Sequence, residues 1–242
     1  MDMAARTAAW AKRGGLPTAK DYVQDGLVAM WDGIENAGWG THDAVATVWK
    51  DLVGTANMTA NGTPVWADDR ASFNGSFSFR GNSADVVDAL KGDCTFEFVL
   101  KPRGYKSNGG VYDFGGVGHD SWAFSWNNEQ KRANWFNAMT FQKAKITPVA
   151  NQFSYDMDDW TERIVSLTSS GGAISQYVDG VLVGSATKGS VTSSQNTFAF
   201  GYIFNYSSGI FDLCRGAIYN RALTSAEVPR NYAIDKARFN LP

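Results

Sequence analysis

The chain is 242 residues long with a formal net charge of −2; 19% of its residues are charged and 14% aromatic, including nine Trp and fifteen Phe. So balanced a charge creates no long-range basic field to gather nucleic acid or an anionic membrane surface, and no run of about 18 apolar residues is available to insert as a transmembrane helix. Two His and two Cys are too few for a dedicated zinc centre or a disulfide scaffold. The aromatic content instead suits one large core between two layers, each buried side chain contributing roughly 1.5–3 kcal/mol.

Residues 1–20 are expected to form a separate helical arm or leader. The segment 4–13, AARTAAWAKR, has high helix propensity and is stopped by Gly14, Gly15 and Pro17. No continuous apolar core of a secretory signal is legible there, although the extracellular space or a particle surface is the expected location. From Tyr22 the pattern changes to strand. Leu27, Ala29 and Trp31 share one face and Val28 and Met30 the other, as in a strand covered on both sides. The glycine-rich run Glu35 to Asp43, ENAGWGTHD, reads as a loop. In it Trp39, beside His42 and Asp43, is either a ligand contact or a lid folded back on the core.

Trp49–Gly54 reads as a short strand, 57–63 as a loop, and Phe77 and Phe79 alternate with Ser in a half-buried strand. Cys94–Pro102 is a strong strand with Phe96 and Phe98 on one face; Glu97 falls on the other, expected to be an outer, solvated surface. Tyr105 lies in a polar loop. Gly115–Asp120, GGVGHD, is expected to be a hairpin loop whose His119 and Asp120 could meet a ligand or Ca²⁺. It is no phosphate cradle, because no Lys-Ser/Thr pair follows. Ser121–Trp126 and Arg132–Ala138 are expected to form the next hairpin, its Trp122, Phe124 and Trp126 more plausibly core than a sugar platform.

The stretch Trp160–Gly184, WTERIVSLTSSGGAISQYVDGVLVG, predicts a three-stranded meander: small residues at 169–172 make one turn and Asp179-Gly180 the other. Tyr206 sits in a following loop, and Phe211–Tyr219 is the closing strand. Thr224 and Glu227 fit a capping box ahead of a C-terminal helix anchored by Tyr232 and Phe239.

The Trp, apolar strand, glycine turn and Tyr-Val-Asp-Gly-x-Leu-Val-Gly of 177–184 resemble the concanavalin A-like lectin/glucanase superfamily, in its laminin-G-like branch. Asp25–Asp32 with Trp49–Gly54, and Phe211–Leu223, are similar to the first and last strands of those domains. The likeness spans about residues 22–224. It implies an all-β fold, a two-sheet antiparallel jelly-roll sandwich over 21–242, with short N-terminal and C-terminal helices. It also makes a Cys94–Cys214 bridge conceivable, against two buried thiols, and Ca²⁺ possible at the rim, with Asp113 and Asp120 the pair to inspect. No cofactor is required.

Laminarinase-like members of that superfamily carry Glu-x-Asp-x-x-Glu, which places three carboxylates on one cleft wall for retaining hydrolysis. None of Glu35, Glu97, Glu129, Glu162 and Glu227 has Asp two residues on. No Gly-x-Ser-x-Gly elbow is present either. The chain is therefore expected to be a non-enzymatic recognition or adhesion module for a glycan or surface protein, with Trp39, His42, Tyr105, His119, Asp120 and Tyr206 as contacts. The alternatives are an attachment domain of a surface or phage particle, using 1–20 as its arm, and, last, a hydrolase.

Overall fold

A computed structural model describes residues 15–104, 112–117, 122–126, 138–141, 152–155, 162–187, 197–201 and 210–242. The first sheet contains β1 (Leu27–Asp32), β4 (Trp66–Ala67), β5 (Arg70–Asn74), β7 (Cys94–Gly104), β12 (Arg163–Ser170), β13 (Ala173–Val178), β14 (Val181–Thr187) and β16 (Ile210–Tyr219). Its order is β14-β13-β12-β7-β16-β5-β4. Strand β16 pairs with β7 along one side and successively with β5 and β1 along the other. The second sheet contains β2 (Val48–Trp49), β3 (Met58–Asn61), β6 (Ser78–Asn82), β8 (Tyr112–Val117), β9 (Trp122–Trp126), β10 (Ala138–Phe141), β11 (Gln152–Tyr155) and β15 (Thr197–Phe200), in the order β11-β10-β9-β8-β15-β6-β3-β2. Helix α1 (Ala84–Ala89) leads into β7, and helix α2 (Glu227–Arg238) follows the last strand.

The meander forms as its turn chemistry dictates. Asp179 and Gly180 both take positive φ, +50° and +77°, so the two-residue turn matches the twist of the strands it joins. At the other turn β12 runs on through Ser170, leaving only Gly171-Gly172, at φ +55° and +81°, to reverse the chain. Between the sheets lies an aromatic core that includes Trp31, Trp49, Phe73, Phe79, Phe96, Phe98, Phe198, Phe200 and Phe211. Phe73 stacks on Phe211 at 4.4 Å, and Phe98 meets Phe200 of the opposite sheet edge-on at 6.0 Å. The glycine at 81 belongs to this packing, because a Cβ there would lie 2.2 Å from the Phe198 ring.

The first sheet also has a covered outer face, on which α2 lies. Met30, Ala217 and Tyr219 meet Val228 and Ile234 of the helix and Ala19, Tyr22 and Val23 of the N-terminal segment. Strand β1 is thus buried on both faces, as its apolar residues of both parities require. Pro17 and Ala19, within the expected arm, are buried; the expected helix 4–13 lies outside the described residues. The expected capping box forms in the turn that leads into the helix: Glu227 N donates to Thr224 Oγ1 (3.3 Å) and Thr224 N to a Glu227 carboxylate oxygen (2.8 Å). Pro229 sits within its first turn, where a missing N–H costs nothing.

Several local expectations are corrected. Gly115-Gly116-Val117 is not loop but part of β8, hydrogen-bonded to β9 on one side and β15 on the other; pairing on both edges overrides the weak strand propensity of glycine. Residues 58–61, expected in a loop, form β3. The second arm of the hairpin expected after Trp126, residues 132–138, lies outside the described residues except at its last position; among the described residues β9 pairs in parallel with β10, and β10 with β11. Cys94 and Cys214 are both buried free thiols. Cys94 packs between the sheets and Cys214 on the outer face, so the conceivable bridge does not form.

Candidate functional site

The segment from Gly33 to Asp43 leaves β1 at one end of the sandwich and is held almost entirely by its own polar groups. Asp32 Oδ1 accepts the amides of Ile34 (2.8 Å) and Glu35 (3.3 Å). The fully buried Asn36 closes the loop on itself, its Oδ1 accepting Asp43 N (2.7 Å) and its Nδ2 donating to Asp43 O (2.9 Å). At the tip, Thr41 N donates to Gly38 O (2.9 Å), Ala37 N to Thr41 O (3.2 Å) and Gly40 N to Glu35 Oε1 (3.3 Å). Gly38 and Gly40 take φ of +121° and +67°, conformations open to glycine without steric cost. Trp39, between them, is carried outward with 45% of its surface exposed; it is not the lid on the core that was its other reading.

His42 shares this loop with a different task. Its Nδ1 lies 2.9 Å from Gly33 O and its ring is edge-on to Trp66 at 6.4 Å, so it braces the root of the loop. Gly33 itself is pinned: its N–H donates to Cys214 O (2.7 Å), and a Cβ would come within 2.2 Å of Asp69 O. The expected contacts Tyr105, His119, Asp120 and Tyr206 lie outside the described residues, and so does the Asp120 half of the pair considered for calcium. Among the described residues no group of three or more His, Cys, Asp or Glu could hold a metal.

Two residues join the site that the sequence did not single out, Lys20 and Arg238. Lys20 stands in a short 3₁₀ turn, Ala19–Asp21, capped by Thr18, and its Nζ lies 5.0 Å from the centre of the Trp39 ring. Arg238, at the end of α2, donates to Asp32 Oδ2 (2.8 Å) and lies 3.8 Å from Glu35 Oε2. Burial pushes the carboxyl groups of Asp32 and Glu35 above the usual carboxylate range, and Arg238 opposes that shift in both. The Thr18–Asp21 spacing was a readable cap signature. Arg238 gave no local signal, because its partner Asp32 is 206 residues away.

Two further polar clusters lie on the outer face of the first sheet. Under α2, Arg215 donates to Asp235 through Nε and Nη2 (both 2.7 Å) and to Glu97 Oε2 (3.1 Å). Asn231 Nδ2 reaches Glu97 (2.9 Å) and Tyr219 (2.9 Å), and Tyr22 Oη donates to Asp235 (2.6 Å). Glu97, expected to be solvated, is 0% exposed. Its parity was read correctly, but the helix covers the face it points to. Desolvation drives its pKa up against the pull of Arg215. Toward the sheet end, Arg70 binds Asp69 (2.6 and 2.8 Å) and Glu162 (3.2 Å), and Asp212 accepts from Ser72 (2.7 Å) with Arg103 at 3.3 Å. Cys214 donates to Glu162 (2.9 Å), and burial pushes its thiol pKa up. Cys214 reaches this face through a β-bulge in which Leu213 pairs with Leu100 but Arg215 with Val99. Each of these carboxylates is matched by a guanidinium, which makes the first cluster a tie between strands and helix and the second a tie among strands and their connections.

Two eight-stranded layers packed on an aromatic core, among the described residues, define a concanavalin A-like β-sandwich. The chain belongs to the concanavalin A-like lectin/glucanases superfamily, whose laminin-G model matches residues 74–229. No curated protein matches it by sequence. Among solved structures it is similar to Trypanosoma rangeli sialidase in complex with sialic acid, at 17% identity and a TM-score of 0.58, covering 90% of this chain and 33% of that one. It is also similar to the botulinum neurotoxin type C structure concerned with cell entry through two ganglioside molecules, at 13% identity and a TM-score of 0.59, covering 86% and 50%. The binding domain of botulinum neurotoxin DC in complex with SialylT gives 12% identity and a TM-score of 0.58, covering 86% and 51%. The chain thus spans a third to a half of these neighbours, and at such identities the likeness is one of fold, a fold shared by enzymes and binding domains alike.

Proposed function

We propose that this chain is a non-catalytic glycan-recognition module that takes its ligand at the rim loop 33–43, with Trp39 as the stacking surface and Lys20 as a neighbouring donor. The observation that carries this reading is the exposed indole held on a loop ordered by its own hydrogen bonds. Such a loop loses little conformational freedom when a ligand arrives, and a Trp ring offers an apolar face to the C–H side of a pyranose. The neighbours described with sialic acid and with ganglioside support a glycan ligand. Against hydrolysis, Glu35, the carboxylate in the Trp39 loop nearest it in sequence, spends one oxygen on Gly40 N and keeps the other buried. A glycan array followed by calorimetry, on the wild type and W39A with and without Ca²⁺, tests the proposal. Binding that W39A abolishes is expected; silence across neutral and acidic glycans, or binding indifferent to W39A, would overturn it.

The attachment reading draws on a different observation. Val181, Leu182 and Val183 of the edge strand β14 are all exposed, a surface suited to contact with another protein. A charge at Leu182 that left assembly into a larger particle intact would reject it.

A further inference from the structure

The candidate site is assembled from two pieces of chain that share little direct bonding: the turn bearing Lys20 and the loop bearing Trp39. One side chain holds both. Arg238 Nη1 donates to Pro17 O (3.0 Å), immediately before the Thr18 cap of the Lys20 turn, and Nη2 donates to Asp32 Oδ2 (2.8 Å). The other oxygen of that same Asp32 carboxylate accepts the amides of Ile34 and Glu35 in the Trp39 loop, and Glu35, whose Oε1 holds Gly40 N, stands 3.8 Å from the guanidinium. The side chain of Arg238 is 5% exposed and that of Asp32 fully buried, so water cannot replace these bonds at little cost. A guanidinium, with its rigid fork of donors, can serve two acceptors in fixed directions where an ammonium cannot.

From this geometry we infer that Arg238, which touches no ligand itself, is the positioning residue that sets the spacing of Lys20 and Trp39 and therefore the selectivity of the site. The inference rests on the glycan-recognition reading for its consequence but not for its test. Hydrogen exchange on the full-length protein reads it directly. In R238M the amides of 18–22 and 33–43 are expected to exchange about ten-fold faster than in the wild type, and acrylamide quenching of Trp39, taken as the difference from W39F, is expected to rise. R238K is expected to restore protection in 33–43, through its charge on Asp32, more than in 18–22, where the second bond is lost. E227Q, which loosens the opposite end of the same helix, should leave both segments unchanged; a merely structural role for the helix would move them in both variants. Unchanged exchange in R238M overturns the inference. Should R238M fail to fold, R238K carries the same test, and full protection of 18–22 in R238K overturns it. Loosened segments in a protein that binds no glycan would defeat the proposed function alone; a W39A-sensitive glycan affinity that survives R238M unaltered would defeat the positioning role alone.

Discussion

The knot under α2 and the loop at the rim are built from the same few residue types and are used in opposite ways. Under the helix, Glu97, Asp235 and Arg215 are sealed from water, and each depends on the others because no solvent can stand in. At the rim, Asp32, Glu35 and Arg238 are equally engaged, but their bonds end on backbone amides that carry an exposed Trp39. The first arrangement fixes a helix onto a sheet. The second fixes the position of one aromatic ring. The contrast separates residues whose loss should unfold the domain from those whose loss should silence it.

The largest effect is expected at the knot. Replacing Arg215 with Met leaves two buried carboxylates facing each other without their cation, which should cost about 3–5 kcal/mol, measured by urea unfolding. A loss below about 1 kcal/mol would show that water reaches the cluster and would erase the contrast. At the root of the rim loop, G33A should cost about 1–3 kcal/mol, because the added methyl meets the Asp69 carbonyl oxygen, a backbone atom that cannot turn aside. Its distinguishing mark would be a displaced His42 signal in the NMR spectrum.

The knot also carries a pH signature. The Glu97 carboxyl is raised in the folded state, chiefly by burial, so the stability it contributes is fully present below the unfolded carboxylate range and is lost as pH rises through the folded value. E97Q lacks that titration. Its stability relative to wild type should therefore improve as pH rises from the usual carboxylate range through the raised folded value; a gap that is flat or reversed would mean that Arg215, rather than burial, sets the state of Glu97. At the exposed end of α2 the sign is opposite. Glu227, paired with Arg221 and Thr224, is held down at about 2, and its contribution is lost only as pH falls through that value. Because this pair is only part-buried and open to solvent screening, E227Q should cost less than about 1 kcal/mol near neutral pH.

Legibility divides along the same line as these two regions. What depends on near neighbours could be read from the sequence: the inward alternation of Phe96 and Phe98, the Asp179-Gly180 turn and the Thr224–Glu227 cap all appear in place. What depends on partners far along the chain could not. Glu97 looked like a solvated strand residue because Arg215 and Asn231, 118 and 134 residues away, are invisible to a local pattern. The bulge at Cys214, which turns two successive side chains to the same face, breaks the two-residue period on which strand reading relies. At the rim, the glycines announced a loop and Trp39 was singled out, but whether its ring faced in or out could not be decided. Gly38 and Gly40 decide it by geometry. His42, chosen as a contact for its chemistry, also braces the loop, because Gly33 O lies within reach of its ring.

The smallest expected change in stability falls on the residue given the largest role in binding. Trp39 makes its visible ring contact with Lys20, itself exposed, and belongs to none of the three buried clusters. W39A should therefore alter unfolding free energy by no more than about 0.5 kcal/mol, while removing the apolar face offered to a ligand. A loss of several kcal/mol would mean that the indole is part of the fold after all, and the comparison between knot and rim would collapse into two versions of the same structural tie. A silent unfolding curve in a variant that no longer holds a glycan would separate them, because an aromatic ring this size is exposed at a cost in apolar surface that its neighbours do not recover.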